Sequence, residues 1–140
     1  MPVRLEHIYS PSSQDWIDLQ KIHEETAQDG LTLDIDALKQ WLQTDNHWIL
    51  AGRFNDRIVG CCLATLETEN QITLSNAGVR RITQRRGVMH QLLHHICQWA
   101  NQEGKCLQIL TPPAELHSAL GRRQFTAIGP DFLYNKLNKS

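Results

Sequence analysis

Residues 79–89 read VRRITQRRGVM, and they join two patterns of different period. A strand pattern over residues 71–79 ends at the first of them, and a helix pattern over residues 87–103 begins at Gly87. The first turn of a helix has unpaired backbone N–H groups and the positive end of the helix dipole, a combination that binds phosphate. Gly87 also lets the backbone approach an anion with no side chain in the way. The stretch therefore predicts a phosphate-binding loop.

The same stretch concentrates positive charge. It holds Arg80, Arg81, Arg85 and Arg86, four of the 14 basic residues in the chain. Arginines in this loop would steer a polyanionic ligand and offer forked hydrogen bonds to phosphate. Two other interpretations stay open, a solvated basic loop ahead of an ordinary helix and a nucleic-acid surface. The nucleic-acid interpretation is weaker, because the loop has no interleaved aromatics and the chain has a net charge of −1.

Patterns on both sides of the loop predict an α/β (α+β) fold in which helices cover a mixed sheet. The step from strand 71–79 through the long helix to an apolar run at residues 106–110 is a candidate right-handed crossover. Residues 47–54 and 57–66 read as two strands of a hairpin around Asn55-Asp56. The other predicted elements are a strand over residues 3–8, helices starting near residue 13 and after Asp34, a helix over 114–123, and strands over 125–128 and 132–137.

Composition and charge narrow the class of protein. The 140 residues fit one domain, residues 1–140, and 41% hydrophobic with 21% charged residues is an ordinary globular balance. No apolar run approaches the roughly 20 residues that span a bilayer, and the near-neutral charge argues against nucleic acid or membrane as a partner. Residues 1–10 are no signal peptide, and the four cysteines form no CxxC pair. We therefore expect a cytoplasmic protein.

The loop also carries a known motif. Val79, Gln84 and Gly87 match Val-x₄-[Gln/Arg]-x-x-Gly-x-[Gly/Ala] in register, whereas Met89 departs from its final small residue. On these residues the chain resembles the GCN5-related N-acetyltransferase (GNAT) superfamily. The resemblance implies a mixed, mostly antiparallel sheet flanked by helices, and acetyl-CoA or CoA as cofactor. It implies that backbone groups of the strand end and the loop hold that cofactor, namely Ala77, Gly78, Val79, Thr83, Gln84, Arg85, Arg86, Gly87, Val88, Met89 and His90.

Three segments outside the loop narrow the resemblance. Residues 14–22 (QDWIDLQKI), residues 46–47 and residues 51–57 (AGRFNDR) are similar to the aspartate-decarboxylase maturation factors of the PanZ (PanM) family. Members bind the pro-form and the mature form of aspartate 1-decarboxylase, promote autocatalytic activation and give CoA-dependent feedback on pantothenate and CoA biosynthesis. The resemblance implies a monomer or weak dimer whose partner surface includes Arg53, Phe54, Asn55, Arg80 and Arg81. Simple hairpin-turn chemistry is the competing interpretation of Arg53 and Asn55.

The sequence assigns no catalytic residue. GNAT enzymes often have a carboxylate on the strand that ends in the motif, but residues 71–79 contain none, and Leu120 stands where a tyrosine is common. Possible substitutes, each also readable as a solvated surface group, are Glu67, Glu69, Glu115, His117 and Tyr134. These vacancies favour a regulator, and an active N-acetyltransferase on a small amine or a peptide is the alternative. His90 and His94 share a helical face, but no metal site is expected.

Overall fold

The computed structural model describes residues 2–84 and 86–135. In chain order the elements are β1 (Arg4–Ile8), α1 (Ser13–Thr26), α2 (Ile35–Leu42), β2 (His47–Phe54), β3 (Arg57–Thr68), β4 (Gln71–Val79), α3 (Val88–Glu103), β5 (Cys106–Ile109), α4 (His117–Arg122), β6 (Thr126–Ile128) and β7 (Asp131–Tyr134). Short 3-10 turns at Arg81–Thr83 and Ala114–Leu116 precede α3 and α4.

The seven strands form one mixed sheet in the order β1-β2-β3-β4-β5-β7-β6. Every neighbouring pair is antiparallel except β4 and β5, which run parallel because α3 connects them as a crossover. The predicted mixed, mostly antiparallel sheet flanked by helices is therefore confirmed. Among the described residues no helix combines the length and the apolar character needed to cross a bilayer.

Capping residues explain where the first two helices begin. Ser12 and Asp15 form a capping box, in which the Ser12 hydroxyl accepts from the Asp15 amide and the Asp15 carboxylate accepts from the Ser12 amide. Asp34 caps α2 by accepting from the Ala37 amide at 2.8 Å, as the sequence predicted. Both helices therefore start at side chains that satisfy otherwise free backbone donors.

Helices cover both faces of the sheet, and strand alternation assigns the core residues to each face. One face packs Ile49, Cys61 and Leu63 against Leu19 and other residues of α1 and α2. The opposite face packs a larger cluster against α3, whose buried strand residues are Trp48, Leu50, Cys62, Ala64, Ile72, Leu74, Leu107, Ile109, Phe132 and Tyr134. The adjacent Cys61 and Cys62 thus point to opposite layers, and burial raises the pKa of the Cys61 thiol to about 12.

Two predicted elements near the C-terminal end need correction. The single helix expected over residues 114–123 is a 3-10 turn followed by α4, because Pro113 is extended (φ −56°, ψ 147°) and the Leu116 amide bonds back to its carbonyl. The strand expected over 132–137 is β7, which spans Asp131–Tyr134. Residues 136 and 137 lie outside the described residues.

Candidate functional site

The two parallel strands separate part-way along their length. β4 and β5 pair from Gln71 opposite Cys106 to Leu74 opposite Ile109, and the Leu110 amide donates to the Leu74 carbonyl at 2.9 Å. β5 ends at Ile109, whereas β4 continues to Val79. The β5-facing edge of residues 75–79 is therefore without a neighbouring strand, and its backbone groups are available to a ligand.

A β-bulge bends β4 within this free part. Leu63 of β3 faces Ser75 and Cys61 faces Gly78, so Asn76 and Ala77 together oppose one residue of β3. Asn76 has φ 54°, a left-handed conformation that asparagine tolerates. Its Oδ1 accepts from the Thr32 amide at 2.8 Å and from the Thr32 hydroxyl at 2.7 Å. The bulge is thus held by the segment that follows α1, a contact that sequence reasoning missed.

The 3-10 turn after β4 is closed by hydrogen bonds around one threonine. The Thr83 amide and hydroxyl both donate to the Arg80 carbonyl, at 2.9 and 2.8 Å, and the Arg86 amide donates to the Thr83 carbonyl at 3.1 Å. Thr83 is 2% exposed, although threonine is polar. The Arg80 amide in turn donates to the Val59 carbonyl of β3 at 2.9 Å. These bonds fix the path of the loop into α3.

The first backbone amides of α3 find no acceptor among the carbonyls of the helix itself. Gly87 is the N-cap in a left-handed conformation (φ 72°), and it supplies no side-chain cap. The first bond of the helix runs from the Gln91 amide to the Gly87 carbonyl at 3.0 Å, so the amides of Val88, Met89 and His90 have no acceptor within the helix. A Cβ built on Gly87 meets no atom within 4 Å. This end of α3 is therefore open to an anion.

A groove of about 780 Å³ joins the free edge of β4 to the start of α3. Predicted cofactor residues in its walls are Ala77, Gly78, Val79, Thr83, Gln84, Gly87, Val88, Met89 and His90. Arg86 is not among the lining residues, and Arg85 lies outside the described residues. The rest of the wall was not predicted as cofactor-binding: Thr26 at the end of α1, Asp29 and Gly30 after it, and Pro113, Glu115 and Leu116.

The last turn of α1 packs tightly against this groove. A Cβ on Gly78 would lie 2.8 Å from the Thr26 hydroxyl oxygen, and a Cβ on Gly30 would lie 2.6 Å from it. The Thr26 hydroxyl donates to the Ile22 carbonyl at 2.7 Å and accepts from the Leu31 amide at 3.0 Å. Glycine at positions 30 and 78 thus permits helix, turn and strand to meet around one side chain.

Predicted partner residues differ in how accessible they are. Asn55 lies at the exposed hairpin tip with φ 49°, and Arg81 is exposed at the start of the loop. Phe54 is half-buried against the cluster of Val3, Val59 and Val88. The tip and the loop lie at the same end of the sheet, because Gly60 pairs with Val79.

The Arg53 guanidinium is held inside the protein. Its side chain is 11% exposed and donates to both Asp15 carboxylate oxygens at 2.9 and 3.0 Å, to Glu6 and to the Asp56 carbonyl. Burial alone would raise the pKa of Asp15, but hydrogen bonds from Arg53 and Ser12 hold it below its usual value. Arg53 therefore ties the end of β2, beside the hairpin turn, to α1. The sequence feature that could have indicated Asp15 as its partner is the place of Asp15 in the first turn of α1.

A second carboxylate of α1 holds the other side of the hairpin. Asp18 is fully buried and accepts from the Arg57 Nε at 3.0 Å, from the Ile58 amide at 3.1 Å and from the Gln14 side chain at 3.1 Å. Burial opposes ionisation, yet these donors keep the pKa of Asp18 lowered. The hairpin is thus clamped to α1 at both ends of its turn.

The substitute catalytic groups are spread over the fold. Tyr134 is 3% exposed and its hydroxyl donates to Asn101 Oδ1 at 3.1 Å, while burial raises its pKa. Glu115 lines the groove. Glu67 lines a separate cavity of about 510 Å³, which is bordered by residues of strands β3 to β7. His117 contacts the Pro112 carbonyl through Nε2 at 3.2 Å. Among residues 2–84 and 86–135, no three His, Cys, Asp or Glu side chains form a metal-binding group.

Comparisons with known proteins agree with this geometry. The family model described as the acetyltransferase (GNAT) domain PanZ matches residues 2–111. The chain is 37% identical over 111 residues to a PanD regulatory factor of Escherichia coli (strain K12), covering 73% of this chain and 76% of that protein. It is 38% identical over 94 residues to the PanD regulatory factor of Salmonella typhimurium, covering 67% of this chain and 63% of that protein.

A solved structure shows the same fold with a ligand. The solution NMR structure of the N-acetyltransferase-like YhhK from E. coli, bound to coenzyme A, is similar over 96% of this chain and 99% of that chain. The TM-score is 0.66 and the sequence identity is 27%. The similarity therefore extends beyond residues 2–111 of the family match to nearly the whole fold.

Proposed function

This chain belongs to the PanZ family of GNAT acetyltransferase domains, and on that basis we propose that it is a CoA-responsive regulator of PanD, the aspartate 1-decarboxylase. It binds acetyl-CoA or CoA, docks on the pro-form of PanD and promotes the autocatalytic cleavage that activates it. On the mature enzyme it gives CoA-dependent feedback on pantothenate and CoA biosynthesis. The groove at the divergence of β4 and β5 is the observation that carries this proposal.

The groove fits the two chemical parts of the cofactor. The amides of Val88, Met89 and His90 at the start of α3 suit a pyrophosphate, because they combine unpaired donors with the positive end of the helix dipole. The free edge of residues 77–79 suits the amide groups of a pantetheine arm, which can pair with it like an added strand. The cofactor supplies an activated acetyl group when bound, and these residues supply its orientation.

The departure from the motif at Met89 does not disturb this fit. The Met89 side chain is 8% exposed and packs in the large core cluster beneath α3. Its amide still belongs to the free first turn of the helix. The larger side chain is therefore accommodated by the core, and the backbone donor it carries remains available to phosphate.

The partner surface combines the hairpin tip with the loop that borders the groove. Asn55 and Arg81 would contact PanD directly, because both are exposed at the same end of the sheet. Arg53 and Phe54 would shape that surface, since Asp15 holds the first and the valine cluster holds the second. Arg80 would hold the loop that carries Arg81. We propose one domain that is a monomer or weak dimer when alone and acts in the cytoplasm, where its four cysteines stay reduced.

Two measurements test the proposal. Calorimetry with pure acetyl-CoA and CoA should show saturable binding and a rise in melting temperature. Purified pro-PanD mixed with the protein and acetyl-CoA should be cleaved faster on a gel than pro-PanD alone. Absence of both effects would reject the regulator, and binding without faster cleavage would reject the activating role.

Matched hairpin variants locate the partner surface. Asn55→Gly removes the side-chain amide and keeps a turn that glycine also adopts, and Asp56→Gly makes the corresponding change next to it, where φ is 65°. We expect N55G to weaken PanD docking and D56G to leave it nearly unchanged. Equal docking by both variants and the wild type would remove Asn55 from the surface.

An active N-acetyltransferase is the second candidate, favoured by one carboxylate. Glu115 lines the groove opposite β4, where it could accept a proton from an attacking amine. Thiol release from acetyl-CoA should be measured against a panel of small amines and peptides. Turnover that survives Glu67→Gln and is lost in Glu115→Gln would support this activity.

A further inference from the structure

The carboxylate of Glu25 bridges α1 to the phosphate-binding loop. One oxygen, Oε1, accepts from the Arg81 amide at 2.7 Å and from the Arg80 Nε at 3.1 Å. Glu25 is thereby bound to the backbone and to a side chain of the loop at once. The next residue, Thr26, packs on Gly78 of β4, and both line the groove. Two consecutive residues of α1 therefore contact the loop and β4, each of which contributes residues to the groove.

Arg80 is restrained at both of its backbone polar groups and at the Nε of its side chain. Its amide donates to Val59, its carbonyl accepts twice from Thr83, and its guanidinium faces Glu25. The side chains of Arg80 and Glu25 are 16% and 19% exposed. The Arg80 side chain is thus largely buried and its Nε is already engaged by a carboxylate. Arg80 connects the 3-10 turn to β3 and to α1, and the end of that turn, Thr83 and Gln84, lines the groove.

The contacts of Glu25 with the loop favour its ionised form. Burial would raise the pKa of Glu25, but hydrogen bonds from the Arg81 amide and the Arg80 guanidinium keep it lowered. The carboxylate is therefore ionised over the neutral range. A side chain held by a backbone amide and a guanidinium has fewer ways to move than an exposed surface pair.

We propose that Glu25 is the positioning residue for the phosphate-binding loop, fixing residues 80–84 so that the amides at the start of α3 meet a bound diphosphate without rearrangement. Preorganised donors bind an anion more tightly than donors that must first be ordered. This inference rests on the proposed CoA binding. It assigns control over the affinity of the groove to α1, which lies outside the acetyl-CoA motif at residues 79–89.

The proposal makes a prediction opposite in sign to simple electrostatics. A carboxylate beside a polyanion site repels the ligand, so removing its charge alone should tighten binding. Removing a positioning residue should weaken binding despite that relief. The direction of change in the dissociation constant therefore separates the two roles.

Three substitutions at position 25 separate the role of the Glu25 side chain as a hydrogen-bond acceptor from the effect of its negative charge. Glu25→Ala removes both, and we expect the calorimetric dissociation constant for CoA to rise about tenfold. Glu25→Gln keeps an acceptor oxygen at the same reach without charge, and we expect affinity at or slightly above that of the wild type. Glu25→Asp keeps the charge but withdraws it by one methylene, and we expect a several-fold loss. The control is Glu24→Ala at the exposed neighbour, which removes the same charge without touching the loop.

The outcomes are separable from those of the proposed function. Wild-type protein that binds no CoA would overturn the function itself, whereas wild-type binding matched by E25A and E25D would overturn only the positioning role. Binding tightened in E25A and E24A alike would show a purely electrostatic effect and also overturn it. Melting temperatures without ligand show whether each variant folds. If E25A is unfolded at the measuring temperature, the comparison of E25D with E25Q decides the question by the same criterion.

Discussion

Asp15 grips Arg53 with both carboxylate oxygens, at 2.9 and 3.0 Å, across 38 residues of sequence. The same carboxylate accepts from the Ser12 amide in the capping box of α1. One side chain therefore starts a helix and anchors the hairpin whose tip is proposed to meet PanD. The geometry of that tip is set by α1 and not by the turn alone.

Breaking this pair should cost stability. Asp15→Asn leaves the enclosed Arg53 charge with Glu6 as its remaining carboxylate, so we expect the free energy of unfolding to fall by roughly 3 kcal/mol. Urea unfolding at pH 7 measures the change. Asp45→Asn, at an exposed turn, is the control and should fall within about 0.5 kcal/mol of the wild type. A loss as small as that of the control would mean that Glu6 alone suffices for Arg53.

Stability should decline on mild acidification because of His7. Trp48 Nε1 donates to His7 Nδ1 at 3.1 Å, which requires that nitrogen to be unprotonated, and burial lowers the pKa of His7 from 6.5. With the folded pKa below the unfolded one, the unfolded chain binds more protons. The contribution is therefore complete above pH 6.5 and is lost as the pH falls through the lowered value.

Urea unfolding between pH 7.5 and pH 5 would reveal this loss as a decrease in the free energy of unfolding. This pH range brackets the ordinary histidine pKa of about 6.5. His7→Gln cannot gain that proton, and its profile should be flatter than that of the wild type. Parallel profiles would show that another group governs stability in this range.

The two glycines that bound α3 form a matched pair for testing the anion site. Gly87 and Gly104 have φ 72° and 68°, and a Cβ on either meets no atom within 4 Å. Substitution by alanine should cost each about 1 kcal/mol of stability from the left-handed backbone. Only Gly87→Ala places a methyl group beside the amides that face the groove, so we expect it alone to weaken CoA binding. Calorimetry on both variants gives the comparison, and equal affinities would exclude close approach at Gly87.

Close packing at β4 should make Gly78 intolerant of substitution. A Cβ there would lie 3.0 Å from Ile22 Cγ2 and 3.2 Å from the Leu31 amide nitrogen, besides the contact with Thr26. We expect Gly78→Ala to destabilise the fold by about 2 kcal/mol, because backbone and a buried side chain must both shift. Gly121→Ala on α4, where a Cβ meets nothing within 4 Å, should be neutral or slightly stabilising. Thermal unfolding distinguishes the two, and a mild effect at Gly78 would show that α1 can move away from β4.

Local signals account for what the sequence predicted well. The bounds of β2 and β4 and the glycines at both ends of α3 follow from alternation, turn residues and caps, which act over a few positions. The parallel orientation of β4 and β5 follows from the helical crossover that the sequence predicted between them. The groove therefore lies where the motif at residues 79–89 indicated.

Contacts between distant segments account for what the sequence did not predict. Arg80 was predicted to face a ligand or a partner, and no sequence signal indicated that its Nε would also bond to Glu25, 55 residues away. The Asn76 bulge depends on Thr32, 44 residues away, and an asparagine in a strand gives no hint of that pairing. Charge and alternation indicate which kinds of interaction a residue can make. Its partner in the structure is determined by the tertiary fold.

The bulge in β4 also shifts, by one residue, the alternation of side chains between the two faces of the sheet. Ile72 and Leu74 face the α3 layer at even positions, whereas Ala77 and Val79 pack on that layer at odd ones, and Gly78 faces α1. If all nine residues of β4 paired regularly without the bulge, strict alternation would turn Gly78 toward α3 and Val79 into the space that α1 fills. The extra residue of the bulge therefore places the one position of this segment that has no side chain where α1 leaves no room for one.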